Sequence, residues 1–409
     1  MKVLVLNCGS SSVKFQLIET SPEAIENNSE VVLARGNIEK IGMPAASIKF
    51  QAKDKEPYQA TAEILEHRVA INKVVQLCTD SAYGILKDKD DIGAVGHRVV
   101  HGGERFSGSK IITPEVYQQM IECIELAPLH NPHNIKGYEV AREILPTRPH
   151  VAVFDTAFHQ SMPPHAYIYG LPYVLYERHA IRRYGFHGTS HRYLTFRIER
   201  LTKVPIEKFR LITVHLGNGC SIAAVKHGES IDTSMGFTPL EGLVMGTRCG
   251  DIDPAIILHV MSKEELELHE INTMLNKHSG LYGISGVSND MREICKATEK
   301  GNERAHLALD IFCYRIKKYI AAYAAALGGC EYIAFTAGIG ENSPVVRKKS
   351  CEGMEFMGVE IDDKLNNEMV NKEGLISTER SKVKVFVIPT NEEIVIARDT
   401  VLCVAENSH

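Results

Sequence analysis

The chain has 409 residues, 44% of them apolar and 24% charged, with a formal net charge of −5. That length suits two or three domains with sizeable cores, and the mild acidity argues against a general nucleic-acid or membrane-surface binder, so an anionic ligand must be held by local cations. The ten cysteines form no C-x-x-C pair, which points to free thiols in a reducing compartment; the opening apolar run ends at Asn7, too short for a secretory signal, and a cytoplasmic location is expected.

In chain order, KVLVLN (2–7) has the β-branched and leucine content of a strand, and a glycine-led run of three serines follows it. Val13, Phe15 and Leu17 then alternate with Lys14 and Gln16, a period of two that predicts a return strand and a hairpin with a polar tip. DIGAVGHRVVHGG (91–103) predicts a buried strand carrying Arg98. GERFSGSK (103–110) has the spacing of a phosphate loop, but Ser109 stands where the lysine belongs, so it reads as a surface turn. HVAVFDTAFH (150–159) predicts a strand that delivers Asp155 at its end.

LITVHLGNGCSIAAVKHGESID (211–232) repeats the opening design, placing Leu216, Gly219 and Ser221 where Leu6, Gly9 and Ser11 stand. Two related halves are expected. Over 303–327, Leu309, Phe312, Ile316, Ile320, Tyr323 and Leu327 recur every three or four residues, which predicts a helix stopped by Gly328 and Gly329. Arg315, Lys317 and Lys318 interrupt its apolar run, and no segment reads as a membrane span. YIAFTAGIGENS (332–343) predicts a third strand running into a glycine turn. TNEEIVIARDTVLCVAEN predicts a final helix capped by Thr390 or Asn391, with Glu392 and Glu393 in its first turn. Strands alternating with helices make an α/β protein, with a domain boundary near residue 155.

Glycine turns leave backbone N–H groups open to anions. Ser10, Ser11 and Ser12 add hydroxyls there and Lys14 a charge; paired with the turn at 217–221, the design suits a polyphosphate. Arg98 in a buried strand and Arg248 in the glycine-rich loop MGTRCGDIDP each need an anionic partner, either a structural carboxylate or a bound carboxylate or phosphoryl group. His187, between Gly185 and Gly188, suits a hydrogen-bond donor near a reacting group; with His191 it has the i, i+4 spacing of half a zinc site, but H-E-x-x-H is absent. Asn7 and Glu392 suit a hydrated Mg²⁺, although Glu392 suits a helix-dipole partner equally well.

Together these segments resemble the acetokinase family. The blocks that carry the resemblance are VLNCGSSSVKFQLIE, GHRVVHGGE, APLHNPHN, VFDTAFH, YGFHGTSHRY, HLGNGCSIAAVKHGESIDTSMGFTPLEGLVMGTRCGDIDP, SGVSNDMR, FTAGIGENS and PTNEEIVIARDT, which run in order from residue 3 to residue 400. The resemblance implies an α/β fold of two similar actin-like (ribonuclease H-like) domains with an interdomain nucleotide cleft. Residues 1–155 would form the first, with helix 392–409 packing back on it, and 156–391 the second, carrying most of the nucleotide site. It implies reversible phosphoryl transfer from ATP to acetate, giving acetyl phosphate and ADP, with Mg²⁺ (or Mn²⁺ in its place); propionate or butyrate kinase is the alternative. It also implies a homodimer, with no nucleic-acid or membrane partner.

By position, Asn7 and Glu392 correspond to the family's metal contacts, and Lys14, with Ser10 and Ser12, to nucleotide contacts. Arg98 corresponds to the arginine for the substrate carboxylate, Asp155 to the catalytic aspartate, and His187 and Arg248 to the pair that stabilises the transition state. His130 corresponds to a further active-site histidine. His215, Leu216, Gly217, Asn218 and Gly219 form one ATP-binding segment, Asp290, Met291 and Arg292 a second, and Gly338, Ile339, Gly340, Glu341 and Asn342 a third. Val100, Leu129, Phe186 and Pro239 correspond to the pocket for the methyl group. Because a carboxylate is ionised at neutral pH, Asp155 is expected to orient Arg248, His187 or a Mg²⁺-bound water rather than remove a proton. Cys8, Cys220 and Cys249 flank the phosphate and arginine loops, so inactivation by thiol reagents is expected. A sugar kinase would require polar groups in place of the four apolar pocket residues, and a non-enzymatic ATP-driven clamp would not require Arg98 and Arg248.

Overall fold

A computed structural model describes residues 1–407 and divides the chain into two compact units, Met1–Phe158 with Asn391–His409, and His159–Thr390. The expected final helix is described to residue 407; its last two residues lie outside the described residues.

The first unit holds an eight-stranded sheet built from β1 (Lys2–Cys8), β2 (Ser12–Glu19), β3 (Val31–Glu39), β4 (Met43–Ala52), β5 (Tyr58–Ile64), β6 (Ala94–Val99), β7 (Lys110–Ile111) and β8 (His150–Phe154). The order is β5-β4-β3-β2-β1-β6-β8-β7. β1 and β2 form the expected hairpin, with Asn7 opposite Lys14. Alternation sorts β1 between two cores. Leu4, Leu6 and Cys8 join the cluster that includes Ile71, Val74, Val140 and Ala141, from helices His67–Thr79 and Asn131–Ile144. Val3 and Val5 join Val151, Val153, Ile396 and Val401 beneath the C-terminal helix Glu392–Glu406. Burying each such side chain contributes about 1.5–3 kcal/mol. Gly96 lets that helix close on the sheet, since a Cβ there would stand 2.5 Å from Thr400 Oγ1 and 2.8 Å from Ile396 Cγ2.

The second unit holds a six-stranded sheet of β9 (Arg210–Leu216), β10 (Cys220–Lys226), β11 (Glu229–Thr233), β12 (Tyr332–Thr336), β13 (Gly374–Leu375) and β14 (Lys384–Val387), ordered β11-β10-β9-β12-β14-β13. Both sheets share one pattern. In β3-β2-β1-β6-β8 and in β11-β10-β9-β12-β14, the first three strands are antiparallel and the next two pair in parallel. The duplication read from the two hairpins therefore extends over five strands in each unit. The long helix spans Glu303–Leu327, capped by Asn302 and ended by Gly328 at φ 71°. One local expectation fails. The glycine turn after β12 is a short helix, Ala337–Asn342.

Candidate functional site

In the first unit the polar groups gather at the ends of β1, β6 and β8. Arg98 points a fork at Asp155: Nε donates to Oδ1 at 3.3 Å and the second nitrogen pairs with Oδ2. The same guanidinium lies 3.4 Å from Asn7 Oδ1 and 3.9 Å from Glu392 Oε2. Burial opposes the Arg98 charge, but the carboxylates of Asp155 and Glu392 more than offset it, so the group stays protonated. Burial raises Glu392 to about 7; Arg98 opposes the rise, and the charges of Asp155 and Glu393 add to it. Lys14, on the exposed face of β2, reaches Glu393 at 2.5 Å. The sequence places Glu393 only in the first turn of the final helix, since nothing local marks it as the lysine's counterion.

Backbone bonds fix the tip of this hairpin. Gly9 N–H donates to Ser12 O at 2.9 Å, Ile41 N–H to Ser11 O at 2.9 Å, and His67 Nε2 meets Gly9 O at 2.7 Å. Ser10 is exposed and Ser12 half-buried. Two buried asparagines of the helix Asn131–Ile144 brace the strand ends. Asn134 accepts from Val100 N–H at 3.0 Å and donates to Cys8 O at 2.8 Å, while Asn131 accepts from His101 N–H at 3.1 Å. His130 is the exposed residue preceding that helix.

In the second unit, His187 sits at φ 57° just before the helix Gly188–Thr202. Its ring stacks on His215 at 4.1 Å, and its Nδ1 lies 2.8 Å from Ser221 Oγ on β10. Ser190 Oγ meets His215 Nδ1 at 2.8 Å. The β9–β10 turn closes by a Gly217 N–H to Gly219 O bond of 3.0 Å. A Cβ on Gly219 would stand 3.3 Å from an Arg248 terminal nitrogen and 3.4 Å from His187 Nε2, so those two groups border the same turn. Arg248 donates to Pro239 O at 3.1 Å and touches Met245 Sδ at 3.8 Å. No carboxylate among the described residues pairs with it, and burial lowers its proton affinity. A half-buried guanidinium with no protein counter-charge suits an anion.

A cavity of about 860 Å³ opens beside this turn, lined by Gly217 and Asn218, by Asn289 to Arg292 with Cys295, and by Gly338, Ile339 and Asn342 to Val345. All three segments expected to bind nucleotide contribute to it. His215, Leu216, Gly219, Gly340 and Glu341 are not among its lining residues. Glu341 Oε1 accepts from Thr390 N–H at 3.0 Å, and the Gly340 carbonyl accepts from Arg347 at 2.8 Å. Arg347 is fully buried and directs its bonds to the oxygens of Gly340, Glu341, Asn366 and Met369. Sequence reading missed it, because VVRKKS looks like a solvated basic run. Asp290 caps the helix Met291–Glu299 through Arg292 N–H at 2.9 Å, and the Arg292 side chain folds back onto the same carboxylate.

Of the expected methyl pocket, Val100 and Leu129 belong to the first unit, Phe186 and Pro239 to the second. Val100 and Phe186 are buried, whereas Leu129 is 71% exposed. Burial argues against the expected thiol sensitivity at two of the three cysteines. Cys8 and Cys220 are buried, with burial pushing each thiol up to about 12; a Cβ on Gly137 would stand 2.5 Å from Cys8 Sγ, which leaves a reagent no approach from that side. Cys249 is half-buried and its thiol is also pushed up by burial. His191, whose spacing from His187 matches half a zinc site, bonds to Thr213 and Ser221.

The sequence profile of the acetokinase family matches residues 2–398. The chain is 54% identical over 400 residues to the acetate kinase of Alkaliphilus metalliredigens, covering 98% of this chain and 99% of that one. The acetate kinase structure from Porphyromonas gingivalis superposes with a TM-score of 0.93 at 49% identity, covering 98% of this chain and 99% of its own. A propionate kinase structure from Francisella tularensis superposes with a TM-score of 0.89 at 42% identity, covering 98% of each chain.

Proposed function

The chain belongs to the acetokinase family, its two α/β units being actin-like domains, and on that premise we propose that it transfers the terminal phosphoryl group of ATP reversibly to acetate, giving acetyl phosphate and ADP. The observation that carries this reading is Arg248, a half-buried cation without a protein counter-charge, beside a glycine turn, an imidazole and a nucleotide-sized cavity. The cavity takes ATP, and Arg98 takes the acetate carboxylate.

Acetate has a pKa near 4 and is already ionised at neutral pH, so no base has to remove a proton. The chain's work is to hold the acceptor oxygen in line and to neutralise the equatorial oxygens of the moving phosphoryl. Arg248 and His187 supply that neutralisation. Asp155 orients Arg98 by filling its fork, and Lys14 with the Ser10–Ser12 turn steadies the phosphate chain.

A divalent metal fits the first unit's donor set. Asn7 and Glu392 offer oxygens only, the preference of Mg²⁺, and two protein ligands leave it the waters and phosphate oxygens it favours. No cluster of three or more His, Cys, Asp or Glu side chains suited to a metal occurs among the described residues. Bound there, the metal would screen charge on the phosphate oxygens. All ten cysteines are free thiols, which supports a cytoplasmic setting, and no described helix is long and apolar enough to cross a membrane.

The active form is a homodimer. The helix Ala255–Glu264, AIILHVMSKE, has no buried residue, and its Ile256 and Leu258 lie exposed at 45% and 72%. A second copy is the natural cover for such a face. Leu258→Glu is expected to halve the mass seen by light scattering; an unchanged mass counts against this face.

Trapping acyl phosphates with hydroxylamine tests the activity. Acetate is expected to give the highest kcat/KM, with propionate and butyrate lower by about tenfold or more per added methylene, and glucose none. Equal turnover of propionate favours the propionate-kinase reading, and no trapped product with any acid defeats both.

A further inference from the structure

Ser221 lies at the centre of a buried hydrogen-bonded chain that ends on His187. Its Oγ is 2.8 Å from His187 Nδ1 and 2.8 Å from His191 Nε2. His191 Nδ1 lies 2.7 Å from Thr213 Oγ1, which lies 3.4 Å from the Ala223 carbonyl. Thr213, His191 and Ser221 are all fully buried.

The chemistry of each group gives the chain a direction. A carbonyl oxygen can only accept, so Thr213 donates to Ala223 and its oxygen accepts from His191 Nδ1–H. A neutral imidazole carries one N–H, so His191 Nε2 accepts the Ser221 proton. Ser221 oxygen then accepts from His187 Nδ1–H. Burial, followed by the charges of His159 and His215, keeps His191 neutral, which preserves the direction.

We propose that Ser221 and His191 are positioning residues that fix the His187 proton on Nδ1, so that Nε2, on the edge bordering Gly219 and Arg248, donates to a phosphoryl oxygen only when the ring is an imidazolium. Contact of His187 with that oxygen, as proposed above, is the premise. Within the second unit the titratable groups around His187 are His215 in the stack, Arg248 across Gly219, His191 behind Ser221, His159 edge-on to His191, and the buried thiol of Cys220 near Arg248.

Ser221→Ala breaks the chain beside His187. Thr213→Val breaks it two links away, where a methyl group faces His191 Nδ1; the His191 proton then moves to Nε2, Ser221 donates to His187 Nδ1, and His187 carries its proton on Nε2. Two readouts on the unliganded and the working enzyme separate the possibilities. With ¹⁵N-labelled histidine, NMR of the full chain at high pH is expected to show His187 with Nδ1–H in the wild type and Nε2–H in Thr213→Val, with the Nδ1–H preference lost in Ser221→Ala. A wild-type Nε2–H ring, or a tautomer unchanged in both variants, overturns the proposal. In kcat against pH, the wild type is expected to fall about tenfold per pH unit on the alkaline side, while Thr213→Val flattens, because a neutral ring can now donate. If the tautomers shift as expected and the profiles do not move, the chain stands and the placing of His187 at the phosphoryl falls.

Discussion

Arg98 and Asp155 face each other across the paired strands β6 and β8, with both carboxylate oxygens of Asp155 engaged by the guanidinium. The arginine that is to receive acetate thus already holds a carboxylate of the protein. Removing that charge is expected to separate binding from turnover. In Asp155→Asn the acetate KM is expected to fall or hold, because Arg98 is less neutralised, while kcat drops about 10²–10³-fold as its orientation is lost. Steady-state kinetics with acetate varied checks this; a large rise in acetate KM with kcat intact contradicts it.

Arg248 offers the opposite case, a half-buried cation with no carboxylate opposing it. Arg248→Ala is expected to cost about 10²–10³ in kcat with little change in ATP KM. Its thermal midpoint is expected to hold or rise, since the desolvation cost of an unpaired charge is removed. A variant that melts earlier and loses only nucleotide affinity would assign Arg248 to the scaffold instead.

Arg347 behaves as scaffold. Its guanidinium serves five oxygen-directed bonds in a fully buried setting, and burial lowers its pKa to about 10. Arg347→Met takes the guanidinium from the carbonyls of Gly340 and Met369, while Glu341 O keeps its bond from Asn371 N–H, at about 1–3 kcal/mol for each buried group left unpaired. A loss of at least ~3 kcal/mol in urea unfolding is expected, together with weaker ATP binding through the displaced Ala337–Asn342 segment. A shift below ~1 kcal/mol argues against it.

Acid should weaken the fold through its buried rings, with one opposing group: Glu392, raised to about 7, takes up its proton in the folded state first. His97 and His150 share a 2.9 Å bond inside the first unit, and burial lowers the proton affinity of both, as it does for His191. The folded state keeps these rings neutral, whereas the unfolded chain binds protons below its ordinary pKa of about 6.5. The unfolded state then carries more protons, so stability falls as pH drops through 6.5, at up to about 1.4 kcal/mol per pH unit per ring. Urea midpoints from pH 7.5 to 5.5 are expected to decline; a flat series would show that the rings charge within the fold.

Thiol labelling should follow burial. Cys8 and Cys220 are expected to stay unlabelled in the folded protein, while the half-buried Cys295, which lines the cavity, labels slowly and is protected by ATP. Mass spectrometry of labelled peptides reads the order. Rapid labelling of Cys220 would mean that the β9–β10 turn opens.

The parts legible in the sequence were those written in local periodicity. The alternation of Val13, Phe15 and Leu17 and the three-and-four spacing from Leu309 to Leu327 each needed only neighbours in the chain. Asp155 was legible as a charge at a strand end, and its pairing with Arg98 follows once β6 and β8 are adjacent. The short helix after β12 was not legible, because two glycines in six residues disfavour a helix, and the Arg347 guanidinium that holds its Gly340 and Glu341 carbonyls comes from the next helix. Nor was the purpose of His191, whose hydroxyl partners arrive from β9 and β10, more than twenty residues away.

The chain leaves its first unit after Phe158 and returns at Asn391. During synthesis, Val3, Val5, Val151 and Val153 therefore wait without Ile396 and Val401 while the whole second unit emerges. The second unit has all its strands in hand before the ribosome finishes, so it can fold first. The earliest-made strands complete their core last, with an oily face that invites chaperones, and a nonsense codon near the end of the message would strand that half unfinished.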